Sequence, residues 1–315
     1  MTMEASWHIG VVVPARNEAL HIQEVLETMH PSVDLVVVVD DGSTDETRIM
    51  AETAKAPCEV HVLTGGGNGV GASIDLGHLH LLKTLPKPFV SVVMAGDGQM
   101  NPDDLSLVIQ PVLEGKADHV KGNRRRHSEG YNRMPKVRQW ASTWLSLFTT
   151  LASGVPVTDP QCGYTATSSE LLEAWDWSTS WKGYGYPNYW WIRLSRGGWR
   201  TAEVPVQSIY RNERSGIKKG RFFASVGWMM ALEHHRRNIA WVKPPNLLPH
   251  SLFALMAYML GWSAVLPMIS NDLEQVLFER GVPPLVLLLF FWGLAHLFDR
   301  MAARAHRELR HHAKT

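Results

Sequence analysis

Two runs of branched aliphatic residues, Ile9–Val13 (IGVVV) and Leu35–Val39 (LVVVV), frame the first part of the chain. Each is free of polar residues and of strand length, the pattern of strands covered on both faces. Between them, Glu18–Met29 places Ile22, Val25, Leu26 and Met29 at helical spacing. Val60–Leu63 and Phe89–Met94 predict two more strands, with a helix over Ala72–Thr84 between them. Strands alternating with helices of about a dozen residues predict an α/β layer fold with a mostly parallel sheet. In such sheets ligands sit beyond the carboxyl ends of the strands. Here those ends carry Pro14–Glu18, Asp40–Asp45 and Ala95–Gln99, so the polar residues gather where the architecture places a site.

The pattern changes after Trp199. Thr201–Val206 predicts a short strand. Phe222–Trp241 mixes aromatics, methionines and basic residues, which suits an interfacial amphipathic helix or a core helix with a charged outer face. Leu247–Ser270 (24 residues) and Val282–Phe298 (17 residues) carry no formal charge. Both reach the range needed to cross a hydrocarbon core of roughly 30 Å. Asn271–Gly281 between them holds Asp272, Glu274 and Glu279 against Arg280, while Arg236, Arg237 and Lys243 precede the pair and Arg300, Arg304, Arg307 and Arg310 follow it. Positive flanks face the cytoplasm. The expectation is a two-helix transmembrane hairpin with the first domain and both termini cytoplasmic; a buried hairpin is the alternative. The chain then divides into a domain over 1–220, an amphipathic helix over 221–245, the hairpin over 246–299 and a basic tail over 300–315. A two-span hairpin is compatible with a homo-oligomer, although it shows no strong small-xxx-small face.

Charge is nearly balanced, 31 Lys+Arg against 30 Asp+Glu, which argues against a nucleic-acid partner. Cys58 and Cys162, far apart in sequence, make neither a disulfide framework nor a metal site. The segment Met1–His8 is polar and Ile9–Val13 is too short for a signal-peptide core, which keeps the first domain in the cytoplasm. The histidines lack partners at zinc-ligand spacing. The tryptophans are read as core residues and interface anchors.

Asp40-Asp41-Gly42-Ser43-Thr44-Asp45 follows a buried strand. Carboxylates there can accept hydrogen bonds from a ribose or a base, Gly42 permits a tight turn, and Ser43 or Thr44 can cap the next helix. Taken alone, the stretch is also an ordinary strand–turn–helix cap, and Ala15-Arg16-Asn17-Glu18 has the same ambiguity. Ala95-Gly96-Asp97-Gly98-Gln99 sets a carboxylate and an amide oxygen two residues apart, a pair able to face one hard cation such as Mg²⁺ or Mn²⁺ bridging to a diphosphate. Gly65–Gly71 lacks a Gly-Lys-Ser/Thr ending, so it is not a P-loop, and Gly67-x-Gly69-x-x-Ala72 only approximates a dinucleotide fingerprint. Arg211–Arg221 (RNERSGIKKGR) holds five Lys/Arg residues, suited to a phosphate or an anionic lipid surface.

In this order, VVVPARNE (Val11–Glu18), VVDDGSTDET (Val38–Thr47), NGVGA (Asn68–Ala72), MAGDGQMNP (Met94–Pro102), KGNR (Lys121–Arg124), DPQCGY (Asp159–Tyr164) and EVPVQSIYRNERSGIK (Glu203–Lys218) resemble the family 2 glycosyltransferases of the Rossmann-like GT-A fold. They are most similar to the branch acting on polyprenyl phosphates, the dolichyl-phosphate mannose synthase-like enzymes. The resemblance implies inverting transfer of a sugar from a UDP- or GDP-linked donor to a polyprenyl or dolichyl phosphate at a membrane. It implies a nucleotide-sugar pocket of Pro14, Arg16, Asn17, Glu18, Asp40, Asp41 and Ser43, with Asp97 and Gln99 as Mg²⁺ or Mn²⁺ ligands. Catalytic roles fall on Asp97, Arg124, Asp159 and Gln161, and acceptor-phosphate contacts on Arg124, Arg138, Arg211, Arg214 and Lys218. Two departures matter. Ala95 replaces the first carboxylate of the family's Asp-x-Asp element, and Tyr184–Trp190 (YGYPNYW) offers no acidic base. A phosphate acceptor is already ionised near neutral pH and needs no base, whereas a hydroxyl acceptor, the second reading, would. A third reading, prompted by Ala95, is an inactive nucleotide-sugar-binding scaffold.

Overall fold

The structure, a computed structural model, describes residues 6–127, 136–209, 219–265, 275, 279 and 284–312. The chain forms two compact units, one of Met1–Leu147, Val157–Trp190 and Trp199–Val226, the other of Phe148–Pro156, Trp191–Gly198 and Gly227–Thr315.

The first unit is built on a seven-stranded sheet: β1 (His8–Ala15), β2 (Leu35–Asp40), β3 (Glu59–Thr64), β4 (Phe89–Val93), β5 (His119–Asn123), β6 (Thr165–Ser168) and β7 (Thr201–Pro205), in the order β3-β2-β1-β4-β6-β5-β7. β6 runs antiparallel to both neighbours, and every other pairing is parallel. The α/β expectation with a mostly parallel sheet is met. All six residues of β2 are buried because both faces of the sheet are covered. Val11, Val13, Val36 and Val38 share one apolar cluster with Ile22, Val25 and Leu26 of α1 (Ile22–Glu27) and Leu105 and Val108 of a helix over Leu105–Leu113.

The opposite face receives the helix over Val70–Thr84, which comes close because glycine removes a side chain on each surface. A Cβ on Gly77 would lie 2.3 Å from Val12 Cγ1, and one on Gly10 would lie 2.7 Å from Leu81 Cδ2. In chain order the helices are α1, α2 (Thr47–Thr53), α3 (Val70–Thr84), α4 (Leu105–Leu113), α5 (Lys136–Ser153), α6 (Ser169–Glu173), α7 (Tyr186–Arg196), α8 (Lys219–Trp241), α9 (Pro249–Ser263) and α10 (Pro284–His312).

α1 is shorter than the helix expected over Glu18–Met29. The amides of Asn17, Glu18 and Ala19 bond to the side chains of Ser43, Thr47 and Asp45 instead of starting a helix.

In the second unit α9 packs along α10. Arg237 is wholly buried, paired with Asp299 at 2.7 Å, donating from Nε to the Ala152 carbonyl at 3.0 Å and lying 4.4 Å from the centre of the Trp241 ring. α10 is long and apolar enough to cross a membrane: over 18 residues its mean hydropathy is 1.6, and only 17% of that stretch is buried. It extends beyond the span expected at Val282–Phe298, so Arg300, Arg304, Arg307 and Arg310 continue the same helix. α9 covers the middle of the first expected span, Leu247–Ser270, whose last five residues lie outside the described residues. Most of Asn271–Gly281 lies outside them too.

The α3–β1 contact makes a direct test. Gly77→Leu forces a side chain into Val12 and is expected to cost about 1–3 kcal/mol, read as a lower denaturant midpoint with unchanged slope.

Candidate active site

Sheet direction decides which loops meet. β1, β2, β3, β4, β5 and β7 point the same way, so their carboxyl ends share one edge. β6 is reversed, so its beginning, preceded by Asp159–Tyr164, lies on that edge as well. The sequence-predicted residues Pro14–Glu18, Asp40–Ser43, Asp97–Gln99, Arg124 and Asp159–Gln161 are thereby brought to one side of the sheet.

The first two loops are tied to each other. Asn17 takes a left-handed backbone (φ 58°), which its short amide tolerates. Its N–H donates to Ser43 Oγ at 2.9 Å, and its Oδ1 accepts from Thr44 N–H at 2.8 Å. Asp40 Oδ1 accepts from Ser43 N–H at 3.0 Å, and Asp41 N–H reaches the Ala15 carbonyl at 2.9 Å. Pro14 is buried, Glu18 half-buried and Arg16 exposed at the rim.

Asp41 is the site's clearest open valence. It is buried; Oδ2 accepts from Gly69 N–H at 2.9 Å, while Oδ1 is buried with no hydrogen-bond partner among the described residues. A buried acceptor without a donor is costly, and a ligand N–H would relieve it.

The glycine-rich loop has another task. Gly69 N–H is bound by Asp41, and Gly71 N–H donates to the Lys182 carbonyl at 2.9 Å. A Cβ on Gly71 would lie 2.1 Å from the Trp181 carbonyl oxygen. These glycines admit the 181–182 backbone, and the Gly69 and Gly71 amides, which a dinucleotide phosphate would seek, are already engaged.

At the end of β4, Asp97 Oδ1 accepts from Gln99 N–H at 3.0 Å across a turn in which Gly98 has φ 68°. The Gln99 carbonyl accepts from Ile209 N–H at 3.0 Å, so the strand leaving β7 runs beside this turn two residues before Arg211. Among the described residues no three His, Cys, Asp or Glu side chains gather to hold a metal. The donor set still fits Mg²⁺ or Mn²⁺, which are commonly held by one or two protein oxygens with phosphate and water completing the shell.

On the other side of the edge, Asp159 is fully buried. Arg124 grips it with two side-chain bonds, Nε to Oδ2 at 2.7 Å and Nη2 to Oδ1 at 2.8 Å, and its own backbone N–H adds a third at 3.1 Å. Burial alone would raise the carboxyl's pKa, but the Arg124 charge and hydrogen bonds win and hold it below the ordinary value. Glu203 on β7 accepts from the N–H groups of Thr158 and Asp159, each at 3.1 Å. Lys121, opposite Glu203 in register, is buried and donates to the Cys162 carbonyl at 2.5 Å. Burial lowers its pKa to about 8 against the opposing pull of Asp159 and Glu203. Gln161 donates its side-chain N–H to buried Asn188 on α7.

Lys121 and Glu203 stand inside the motifs KGNR and EVPVQSIYRNERSGIK but were given no role from sequence. The available signal was a lysine and a glutamate within two short strands. Arg211, Arg214 and Lys218 lie outside the described residues, and although Arg138 falls on α5, its side chain does too.

Comparison with known proteins agrees with this geometry. Residues 10–174 match the family described as glycosyl transferase family 2. A UDP-N-acetylglucosamine–dolichyl-phosphate N-acetylglucosaminyltransferase of Methanococcus voltae is 28% identical over 222 residues, covering 64% of this chain and 86% of that protein. An undecaprenyl-phosphate mannosyltransferase of Micrococcus luteus is 31% identical over 205 residues, covering 64% and 83%. Among solved structures, glucosyl-3-phosphoglycerate synthase of Mycobacterium tuberculosis, in complex with Mn²⁺, UDP and glucosyl-3-phosphoglycerate, superposes with a TM-score of 0.53 at 22% identity, covering 74% of this chain and 81% of that one; this likeness is one of fold. The chain belongs to glycosyl transferase family 2 and is a nucleotide-sugar glycosyltransferase.

Asp159→Asn removes the charge that Arg124 compensates, and breaking such a buried pair is expected to cost about 3 kcal/mol at pH 7. Because the folded pKa of Asp159 is depressed, its contribution is present above the ordinary carboxylate value near 4 and lost as pH falls through the lower folded value. The gap between wild type and variant in chemical denaturation should therefore narrow below about pH 4.

Proposed function

We propose that the protein transfers a sugar from a UDP- or GDP-linked donor to a polyprenyl or dolichyl phosphate at the cytoplasmic face of a membrane. The observation that carries this reading is the state of Asp159. It is the carboxylate of the acceptor-side loop, yet it is fully buried and gripped by Arg124, so it is poorly placed to take a proton from a hydroxyl. Tyr184–Trp190 supplies no carboxylate either. An acceptor that arrives already ionised needs neither. The two relatives described above are named for transfer to dolichyl and undecaprenyl phosphate, which supports the same class.

In this mechanism an oxygen of the lipid phosphate attacks the anomeric carbon as the bond to the donor diphosphate breaks. The nucleoside diphosphate leaves and the configuration inverts. Asp41, with its open Oδ1, takes a base N–H, and Pro14, Arg16, Asn17, Glu18, Asp40 and Ser43 shape the remaining base and ribose pocket. Asp97 and Gln99 would hold Mg²⁺ or Mn²⁺, which when bound neutralises charge on the leaving diphosphate. Asp159 fixes Arg124, Gln161 faces the acceptor, and Arg138, Arg211, Arg214 and Lys218 meet the phosphate. The domain over 1–220, the helix over 221–245, the two-span hairpin over 246–299, the basic tail over 300–315 and cytoplasmic termini belong to this reading.

The test is transfer of radiolabelled sugar from a panel of UDP- and GDP-sugars into organic-extractable polyprenyl phosphate, using purified protein with Mn²⁺ or Mg²⁺. Lipid-borne label is expected, abolished by EDTA and reduced about 100-fold or more by Asp97→Ala. Donor binding without any lipid product would sink the phosphate-acceptor reading and favour a hydroxyl acceptor or the inactive scaffold.

A further inference from the structure

α5 is inside out. On Lys136–Ser153 the buried positions include Ser142, Thr149 and Ser153, which carry hydroxyls, alongside Leu145 and Ala152. Thr143 is exposed, and so are four large apolar side chains, Trp140 (67%), Trp144 (44%), Leu147 (44%) and Phe148 (48%). Spacings of four, seven and eight residues put these four side chains along one stripe of the helix. A helix serving only a water-soluble domain would turn such a stripe inward.

The composition of the helix says what the stripe faces. Its sequence holds Lys136 and Arg138 and no Asp or Glu, so it complements an anionic surface. Tryptophan, with an apolar ring and an N–H at its edge, is the residue most at home where acyl chains meet headgroups. A helix with an apolar stripe, a hydroxyl-bearing opposite side and only positive charge has the make-up of an element lying in the plane of a membrane surface. α10 means that the chain carries a candidate span of its own, so a bilayer is within reach.

The helix also touches the site. Ser146 Oγ donates to the Val157 carbonyl at 2.6 Å, two residues before Asp159. We infer that α5 lies in the surface of an anionic lipid bilayer, with Trp140, Trp144, Leu147 and Phe148 dipped among headgroups and acyl chains, and that it sets the height of the Asp159–Gln161 loop above the membrane. The height-setting role rests on the lipid-phosphate reading; the membrane contact does not.

The test uses the full chain in vesicles of phosphatidylcholine and phosphatidylglycerol. Cys58→Ser removes the half-buried thiol, while Cys162 is buried, with its thiol pKa pushed up by that burial, and stays unlabelled. An environment-sensitive fluorophore is placed at Trp140→Cys, at Leu147→Cys and, as control, at Ile49→Cys, an exposed aliphatic position on α2. Probes at 140 and 147 are expected to shift to the blue and to be quenched by nitroxide lipids more than by aqueous iodide, with the reverse at 49. Iodide quenching at all three positions overturns the proposal. So does cross-linking of copies through 140 that persists when lipid is in excess.

The paired change Trp140→Ser/Trp144→Ser separates the second role. Transfer to a long-chain lipid phosphate in vesicles should fall about tenfold through misplacement of the loop, with transfer to a water-soluble short-chain isoprenyl phosphate unchanged. Equal loss on both acceptors overturns height-setting. A wild-type chain that makes no lipid-linked product sinks the acceptor reading and this role together, while the fluorophores still decide whether α5 meets lipid.

Discussion

A carboxylate without access to water stays ionised only where the protein surrounds it with compensating donors, and Asp159 is such a group. Arg124 supplies the charge and a two-pronged grip, Glu203 fixes the backbone on either side of residue 158, and Lys121 holds the Cys162 carbonyl beyond it. Two cations and two anions from β5, β7 and the loops beside them thus balance one another. The reversed strand β6 begins where this network ends. The whole Asp159 side of the edge depends on it, and losing one partner would strand the others in low dielectric.

The loops after β1 and β2 are held by different physics. They are short, follow parallel strands and are joined by hydrogen bonds among Asn17, Ser43, Thr44 and Asp40. Most of their polar atoms serve one another. Asp41 stands apart because half of its carboxylate is satisfied by Gly69 and the other half, among the described residues, is not. That contrast between a self-satisfied frame and one open acceptor is what a preformed ligand pocket requires.

Much of this was legible from the residues. The aliphatic runs of β1, β2 and β4 could be read because strands buried on both faces admit little else, and parallel strands deliver their loops to one edge. β6 was missed because TATS is four residues long and polar; its Thr165 and Thr167 are nevertheless buried, and Thr167 is bonded to His119. β5 was missed as a strand because its sequence, HVKGN, buries a histidine and a lysine. The family resemblance put Asp159 in the site, but its burial and its grip by Arg124 could not be read from local sequence, since it precedes an antiparallel strand and depends on partners 35 and 44 residues away. The glycine-rich loop misleads in the opposite direction. Its spacing suggests phosphate binding, whereas its glycines are required by a backbone more than 100 residues further along the chain.

The reversed strand also bears on the order in which the site can be assembled. Strands β1, β2 and β3, which carry the Asp40–Asp41 side of the site, join through pairings such as Gly10 with Leu35 and Leu35 with Glu59, 25 and 24 residues apart. The Asp159 side waits for Val90 to meet Ser168 and His119 to meet Thr201, 78 and 82 residues apart. Loop closure over such distances is slow, and a chain made from its N-terminus reaches those partners late. The two halves of the candidate site therefore differ in contact order, and the half built around Asp40 and Asp41 can be in place before the half built around Asp159 exists.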